Sequence, residues 1–569
     1  MDQLELKKKA QSYLDRENND FFRKELEEVL AKEDWAELED RFYKELDFGT
    51  GGLRGVIGGG DNRLNTFNIH KATQGLANYI SAQNIDNPGA VIAYDSRHFS
   101  DTFALDAALV LAANGIKTWL FSSLRPTPEL SYAVRELGAS VGIVVTASHN
   151  PPEYNGYKVY WADGGQLVPP HDKGVIAEVR KVTHDIRILD EKEALDSGML
   201  EYIDTEIDES FIRLIKSYSI RPELIKEWGK KLKVVYTPLH GTGTMLIERI
   251  FGELGIQSIT VPEQRDGDGD FPTVKSPNPE EASALKMALE LGKKEKAQLV
   301  IGTDPDADRI GIAEPDGDDF RLFSGNQLGV LLGDYIFSSL KEKNALPKHP
   351  ALVKTIVTTE MQTLLGEKYG ARVFDVLTGF KYIGEKIKEF ESDKYEYVFG
   401  GEESYGFLCM REVRDKDAIS TAAMIAEMVL YHYSQGKTLA DRLNELYIEF
   451  GMFQEILVSK TIKGPTGAVR IKEIMQGLRE NPPATFGKVA VREILDYKEK
   501  NRKNLPPADV IQIILEDDTI ITARPSGTEP KIKFYASART APGSDLAESR
   551  KDIDSRLNDI RNFLEELTA

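Results

Sequence analysis

Three aspartates recur at every second position in Asp304-Pro305-Asp306-Ala307-Asp308. Alternate side chains of an extended segment share a face, so this spacing sets three carboxylates on one side of the chain. Close negative charges repel unless a cation sits among them, and an oxygen-only donor set suits a hard ion such as Mg²⁺. An EF-hand is excluded, because its sixth position would be Arg309 instead of Gly and its twelfth Pro315 instead of Glu. A solvated acidic loop is the plain alternative. The β-rich run from Gln298 to Gly302 favours the metal, since open α/β sheets place ligands at the carboxyl ends of strands. A second acidic run, Asp266-Gly267-Asp268-Gly269-Asp270, fails the same test with Phe271 and Pro277 and reads as a Gly-rich surface turn.

Ser148 follows a β-rich run in Thr146-Ala147-Ser148-His149-Asn150. A serine at a strand-to-turn junction is exposed on a rigid mount, which suits a nucleophile, although a turn-capping serine would look the same. It is not a G-x-S-x-G elbow, since Thr146 and Asn150 flank it. Arg524-Pro525-Ser526-Gly527-Thr528-Glu529-Pro530 offers a guanidinium, hydroxyls and turn N–H groups to one anion, or forms an ordinary β-turn. Gly400-Gly401-Glu402-Glu403-Ser404 holds paired carboxylates able to accept hydrogen bonds from hydroxyls, or merely exposed loop charges.

These residues need a scaffold. Positions 1 to about 46 carry apolar residues at three- and four-residue spacing (Phe22, Leu26, Val29, Leu30, Trp35, Leu38) and predict a helical arm that ends in the turn Asp47–Gly55. Strand and helix signals then alternate: Ala90–Tyr94, Lys117–Phe121 and Val141–Thr146, with helix between, and later Lys233–Thr237 and Leu352–Val357. This pattern predicts βαβ units and a mainly parallel sheet. Residues 172–230 read as a charged helical stretch. The end is β-rich and closes with a helix over Leu546–Leu567. The division that follows is 1–207, 208–323, 324–455 and 456–569.

Composition limits the function. With 72 basic and 92 acidic residues the net charge is −20, which argues against a general nucleic-acid binder. One cysteine, Cys409, excludes internal disulfides and cysteine zinc clusters. The charged first residues lack a secretory core, and no apolar run reaches the length of a spanning helix. The expectation is a cytoplasmic protein with no nucleic-acid or membrane partner.

Together, and in this order along the chain, these motifs resemble the α-D-phosphohexomutase superfamily. Thr146–Asn150 is similar to its phosphoserine loop, Gly302–Arg309 to its metal loop, Gly401–Ser404 to its sugar loop and Arg524–Thr528 to its phosphate loop. The wording Phe48–Gly55 and Thr237-Pro238-Leu239-His240-Gly241 is most similar to the phosphoglucomutase-2 type, a branch that also includes phosphopentomutases. The resemblance implies an α/β fold of four domains around a central active-site cleft, the first three with similar mixed sheets and the last a smaller α+β domain that closes over the cleft.

It also implies roles. Ser148 would carry a phosphoryl group, and Asp304, Asp306 and Asp308, with the serine oxygen, would hold one Mg²⁺ per chain. Glu402 and Ser404 would grip sugar hydroxyls, and Arg524, Ser526, Gly527 and Thr528 the non-reacting phosphate. Arg54 and Arg309 match active-site arginines. Arg414 to Asp417 resembles a segment whose lysine shuttles protons, so Lys416 and His149 are the acid–base candidates. Thr378, Gly379 and Lys381 match a further substrate loop, and Arg414 is a further substrate-binding candidate. The implied reaction interconverts glucose 1-phosphate and glucose 6-phosphate, with glucose 1,6-bisphosphate as intermediate and activator and phosphosugars as the small-molecule partners of a monomer or weak homodimer. Mannose or pentose phosphates, a phosphatase or bisphosphate synthase, and a silent phosphosugar sensor are the alternatives.

Overall fold

The computed structural model describes residues 1–49, 51–183, 185–462, 467–499, 505–526 and 531–568, leaving the Ala468 side chain aside. The chain forms two compact units. The first comprises Met1–Ser324, Phe380–Lys394 and Ser404–Leu430, and the second Gly325–Gly379, Tyr395–Glu403 and Tyr431–Ala569.

The first unit opens with helices Gln3–Leu14, Asp20–Ala31 and Trp35–Phe42, whose first turns are capped by the side chains of Asp2, Asn19 and Asp34. They share a small core of Leu6, Ala10, Tyr13, Leu14, Leu26, Leu38 and Phe42. Phe22 turns away from it into the core of the first sheet, with ring centroids 5.0 Å from Phe99 and 6.1 Å from Phe103.

Six strands make that sheet: β1 (Gly52–Val56), β2 (Gly89–Tyr94), β3 (Lys117–Phe121), β4 (Val141–Val145), β5 (Tyr154–Trp161) and β6 (Leu200–Ile203), in the order β1-β5-β4-β2-β3-β6. Strands β4, β2, β3 and β6 run parallel, β5 pairs antiparallel with β4, and β1 pairs antiparallel with β5. Two departures from expectation appear. The Gly-rich segment expected as a turn carries β1, and the charged stretch expected as helical carries β6 between helices. The first was hidden by glycines, the second by the exposed Glu201 and Tyr202. A second sheet holds β7 (Lys233–Thr237), β8 (Gln257–Thr260), β9 (Leu299–Thr303), β10 (Ile310–Asp316) and β11 (Asp319–Leu322), in the order β11-β10-β9-β7-β8.

In the second unit, β12 (Pro350–Thr355) lies between β13 (Arg372–Val376) and β14 (Glu396–Glu402), parallel to both. The short strand β15 (Gly406–Leu408) belongs to the first unit. The last sheet is antiparallel, with β16 (Phe453–Thr461), β17 (Thr485–Phe486), β18 (Val489–Asp496), β19 (Ile511–Leu515), β20 (Ile520–Pro525) and β21 (Lys531–Arg539) in the order β16-β21-β20-β19-β18-β17. Helix Leu546–Leu567 packs on β16 and β21. The fold class is therefore α/β for the earlier sheets and α+β for the smaller last block. Among the described residues no helix is long and apolar enough to cross a membrane.

Candidate active site

All five residues of β4 are buried, as a strand covered on both faces requires. Its carboxyl end enters a turn closed by the Asn150 N–H on the Ala147 carbonyl at 3.1 Å. Ser148 stands in this turn at φ +53°, a left-handed conformation that costs a non-glycine residue roughly 1 kcal/mol. Thr146 supports it by accepting the Ser148 N–H on its hydroxyl oxygen at 2.8 Å.

Strand β9 is likewise buried throughout and delivers Asp304 at its carboxyl end. The triplet is not extended. Asp304–Asp308 is a turn, with Ala307 at φ +49° and its N–H on the Asp304 carbonyl at 2.9 Å. Strand alternation therefore does not align the carboxylates; the turn folds them inward. Their oxygens lie within 4.8 Å of one another and all three side chains are buried.

Ser148 Oγ donates to Asp304 Oδ2 at 2.8 Å, across 156 positions of sequence. Asp304 Oδ1 accepts the N–H groups of Asp308 (3.1 Å) and Arg309 (3.0 Å). Asp306 Oδ2 accepts Lys158 Nζ at 2.8 Å and the Thr127 hydroxyl at 3.2 Å. Asp308 Oδ2 lies 3.0 Å from Lys416 Nζ and 3.7 Å from Lys158 Nζ. Asp306 Oδ1 and Asp308 Oδ1 are buried with no hydrogen-bond partner among the described residues. Buried carboxylate oxygens of this kind call for a partner. Beside Asp304 and the serine oxygen they make a donor set that fits a hard divalent cation.

The electrostatics agree. Burial, then repulsion from Asp306 and Asp308, pushes the Asp304 carboxyl well above the ordinary range, and burial followed by Asp306 pushes Asp308 upward. Burial opposes ionisation of Asp306 too, but the Lys158 ammonium outweighs it and holds that carboxyl well below the usual range. Lys158 is held protonated in turn: burial would lower its pKa, and Asp306 and Asp308 more than reverse this. Sequence reasoning missed Lys158. The available signal was a lysine inside the buried aromatic strand β5, two residues from Tyr160.

Lys416 also lies 3.1 Å from Asp415 Oδ1. Asp415 Oδ2 accepts the Tyr160 hydroxyl at 2.7 Å and the Gln166 amide at 2.8 Å. The next residues dock on the Asp304–Asp308 turn, with Ala418 N–H on the Ala307 carbonyl at 3.2 Å. A Cβ at Gly406 would stand 2.1 Å from Lys416 Cδ, so glycine leaves the room for the lysine stem.

His149 Nδ1 is 3.2 Å from Ser148 Oγ. Burial, then the charges of Arg309 and Arg54, holds the imidazole well below its ordinary pKa, so the ring is neutral near pH 7. Arg54, on β1, donates to Asn150 Oδ1 at 3.5 Å, and the Arg309 guanidinium pairs with Glu280. The Arg414 guanidinium engages Glu391, and its N–H donates to the Ser131 hydroxyl at 2.8 Å. Lys381 lies near Asp172, with burial lowering its pKa, and the half-buried Ser404 belongs to the same unit.

The second unit gathers a separate set. Glu402 Oε1 accepts the Gly379 N–H at 2.9 Å, beside Thr378, whose hydroxyl is buried with no partner among the described residues. Glu403 Oε2 accepts the Thr355 hydroxyl at 3.3 Å. The Tyr535 phenol bonds to Arg524 and feels both Glu403 and Glu402; burial first, then Glu403, raises its pKa. Tyr535 is the second residue sequence reading missed. Ser526 N–H closes the β20–β21 turn on the Lys531 carbonyl at 2.7 Å. Gly527 and Thr528 lie outside the described residues.

Comparison with known proteins places this geometry. Residues 45–185, 209–317 and 324–450 match the family models of the phosphoglucomutase/phosphomannomutase α/β/α domains I, II and III. A phosphoglucomutase of Staphylococcus haemolyticus is 38% identical over 513 residues, covering 88% of this chain and 91% of that protein. One from Staphylococcus aureus is 37% identical, covering 90% and 93%. Among solved structures, the open form of a Paramecium phosphoglucomutase (parafusin) superposes with TM-score 0.71 at 18% identity, covering 92% of this chain and 96% of that one. A Thermus thermophilus protein described as a phosphomannomutase superposes with TM-score 0.68 at 22% identity, covering 92% and 99%. At those identities the structures speak to the fold alone.

Proposed function

The chain belongs to the phosphoglucomutase/phosphomannomutase family, and on that premise we propose that it interconverts glucose 1-phosphate and glucose 6-phosphate through a phosphorylated Ser148. Its class is phosphosugar mutase. The choice of glucose follows the curated relatives at 37–38% identity, each a phosphoglucomutase.

One observation supports the mechanism: Ser148 Oγ lies 2.8 Å from Asp304 Oδ2 in a buried aspartate cluster with two oxygens unpartnered among the described residues. A Mg²⁺ bound by Asp304, Asp306, Asp308 and the serine oxygen would neutralise charge developing on a transferring phosphoryl group. The reach from O1 to O6 of a hexose is too long for one in-line displacement, so a donor on the chain is needed. The free sugar hydroxyl attacks phosphorus of phosphorylated Ser148. Its oxygen gains the P–O bond, the bond to Oγ breaks, and a side chain accepts the hydroxyl proton. The product is glucose 1,6-bisphosphate. After it reorients, Ser148 Oγ attacks the phosphorus of the other phosphate and forms the new P–O bond, the bond from that phosphorus to the sugar oxygen breaks, and the serine proton passes through a side chain to the departing sugar hydroxyl.

His149 is neutral and within reach of Oγ, which suits it to accept the serine proton. Lys158 and Lys416, both close to the carboxylates, suit the stabilisation of transferring charge. Glu402 would accept from sugar hydroxyls, and Arg524 and Ser526 would serve the fixed phosphate.

The test is Ser148→Ala at saturating glucose 1,6-bisphosphate. Turnover should fall about 1000-fold or more, a loss of roughly 4 kcal/mol of transition-state stabilisation. A near-normal rate would reject a phosphoserine route. Parallel turnover of glucose, mannose and pentose phosphates then tests the sugar, and bisphosphate accumulating without isomer exchange would point to a synthase.

A further inference from the structure

The acidic loop Asp266–Asp270 has no part in the chemistry above, yet it packs against a buried arginine. Arg97, with a fully buried side chain, directs all its terminal donors at the Ser148 turn. Nη2 donates to the Ser148 carbonyl at 2.6 Å and also to the Asn150 carbonyl. Nη1 donates to the Pro151 carbonyl at 2.8 Å and the Tyr154 carbonyl at 3.0 Å. Four carbonyls of one loop thus converge on one guanidinium. Asp95 anchors it from behind, its Oδ2 at 3.3 Å from Arg97 Nε and its Oδ1 accepting the Arg97 N–H at 3.0 Å. Only a planar fork with several fixed donors can bridge such a set; an ammonium cannot.

The remaining face of the guanidinium is covered by Phe271, whose ring centroid is 4.8 Å from Arg97 Cζ. Phe271 is 1% exposed and sits at φ +46°. The glycines before it allow close docking: a Cβ at Gly269 would stand 2.8 Å from the His98 N, and one at Gly267 2.9 Å from Leu124 Cδ2. Asp270 meets His98 at 2.7 Å, and the Ser96 hydroxyl donates to the His240 carbonyl at 2.7 Å. The loop is therefore a latch between the segment after β2 and the segment after β7.

We propose that Arg97, pressed into place by Phe271, is the positioning group that holds Ser148 in its left-handed turn aimed at Asp304, so that the Asp266–Phe271 loop governs phosphoryl transfer without touching the reacting atoms. The inference rests on Ser148 being the phosphoryl carrier. It predicts a defect in the transfer step at constant substrate binding, because both side chains are buried beneath the turn.

The experiment follows single-turnover labelling of Ser148 by glucose 1,6-bisphosphate carrying ³²P, in Mg²⁺-loaded full-length enzyme. The rate constant is the readout, since loss of folded protein lowers only the amplitude. Phe271→Ala and Arg97→Lys should each slow labelling at least about fivefold, as expected for a small misplacement of a reacting atom, with KM for glucose 1-phosphate little changed. Phe271→Tyr should restore the rate, and Asp266→Asn, at an exposed position outside the latch contacts, should match wild type. Should Phe271→Ala not fold, Phe271→Leu carries the same threshold. A smaller slowing in the folded variants overturns the proposal. Absence of label on wild-type Ser148 would instead refute the phosphoserine reading itself.

Discussion

Lys158 Nζ lies 2.8 Å from Asp306 Oδ2 and 3.7 Å from Asp308 Oδ2, so a half-buried ammonium shares the carboxylates that would hold the metal. The cluster is thus balanced by cations of the chain's own, and on the proposed reading the lysine would both compete with Mg²⁺ and stabilise a transferring phosphate. Lys158→Met should separate the two effects. Mg²⁺ should bind about threefold more tightly, because an opposing charge at contact distance is gone, while kcat at saturating Mg²⁺ falls about 100-fold. Calorimetric titration and steady-state turnover check the pair; weaker metal binding would contradict the competition.

Metal and protons should compete as well. The carboxyls of Asp304 and Asp308 are raised above their ordinary pKa near 3.9. Metal-free folded protein therefore holds protons that the unfolded chain has lost, and its stability drops as pH rises through the raised values. Mg²⁺ binding, which needs the ionised forms, offsets that drop. The increase in Tm on adding Mg²⁺ to EDTA-treated protein should be larger at about pH 7.5 than at about pH 5.5. Equal increases would show that these carboxyls do not hold the ion.

Gly406 makes room for Lys416, so Gly406→Ala should act through that side chain. The added methyl would stand 2.1 Å from Lys416 Cδ and push the ammonium off Asp308. Turnover should fall about tenfold or more, with unfolding free energy lowered by about 1 to 3 kcal/mol for the overpacked stem. Unchanged kcat would mean that the position of Lys416 does not matter to the reaction.

In the second unit, His432 is buried on helix Ala418–Ser434, with neither ring nitrogen hydrogen-bonded among the described residues. Burial, with smaller effects from Asp334 and Arg442, lowers its pKa to about 4. The neutral ring is the folded form, so this site's stability is fully present above the unfolded pKa near 6.5. It is lost as pH falls towards about 4, by roughly 3 kcal/mol in all. His432→Phe should flatten the acid side of the stability–pH curve between those values, read by denaturant unfolding; an unaltered slope would sink the assignment.

The site's contiguous parts were legible because each motif carries its own chemistry in a few neighbouring residues. Ser148 and the aspartate triplet could be named, and the closing helix Leu546–Leu567 matches its expected span. What could not be read depends on the turn and on partners distant in sequence. The triplet was expected to align by strand alternation, whereas a left-handed Ala307 folds it. Lys158 and Tyr535 sit on strands where a polar residue looks like an outward-facing one until the register with β1 and β4, or β16 and β20, is known. The acidic loop was correctly expected as a turn, but nothing local to it announces that Phe271 will cover Arg97.

The amino-terminal arm has a consequence of its own. Its helices keep a private core, but Phe22 is lent to the first sheet, where it completes the aromatic stack on Phe99 and Phe103. A chain begun after the arm would bare that stack to water and invite self-association. The sheet that mounts the serine is thus sealed by a segment that supplies none of the proposed chemistry, and trimming for crystals or expression ought to spare it.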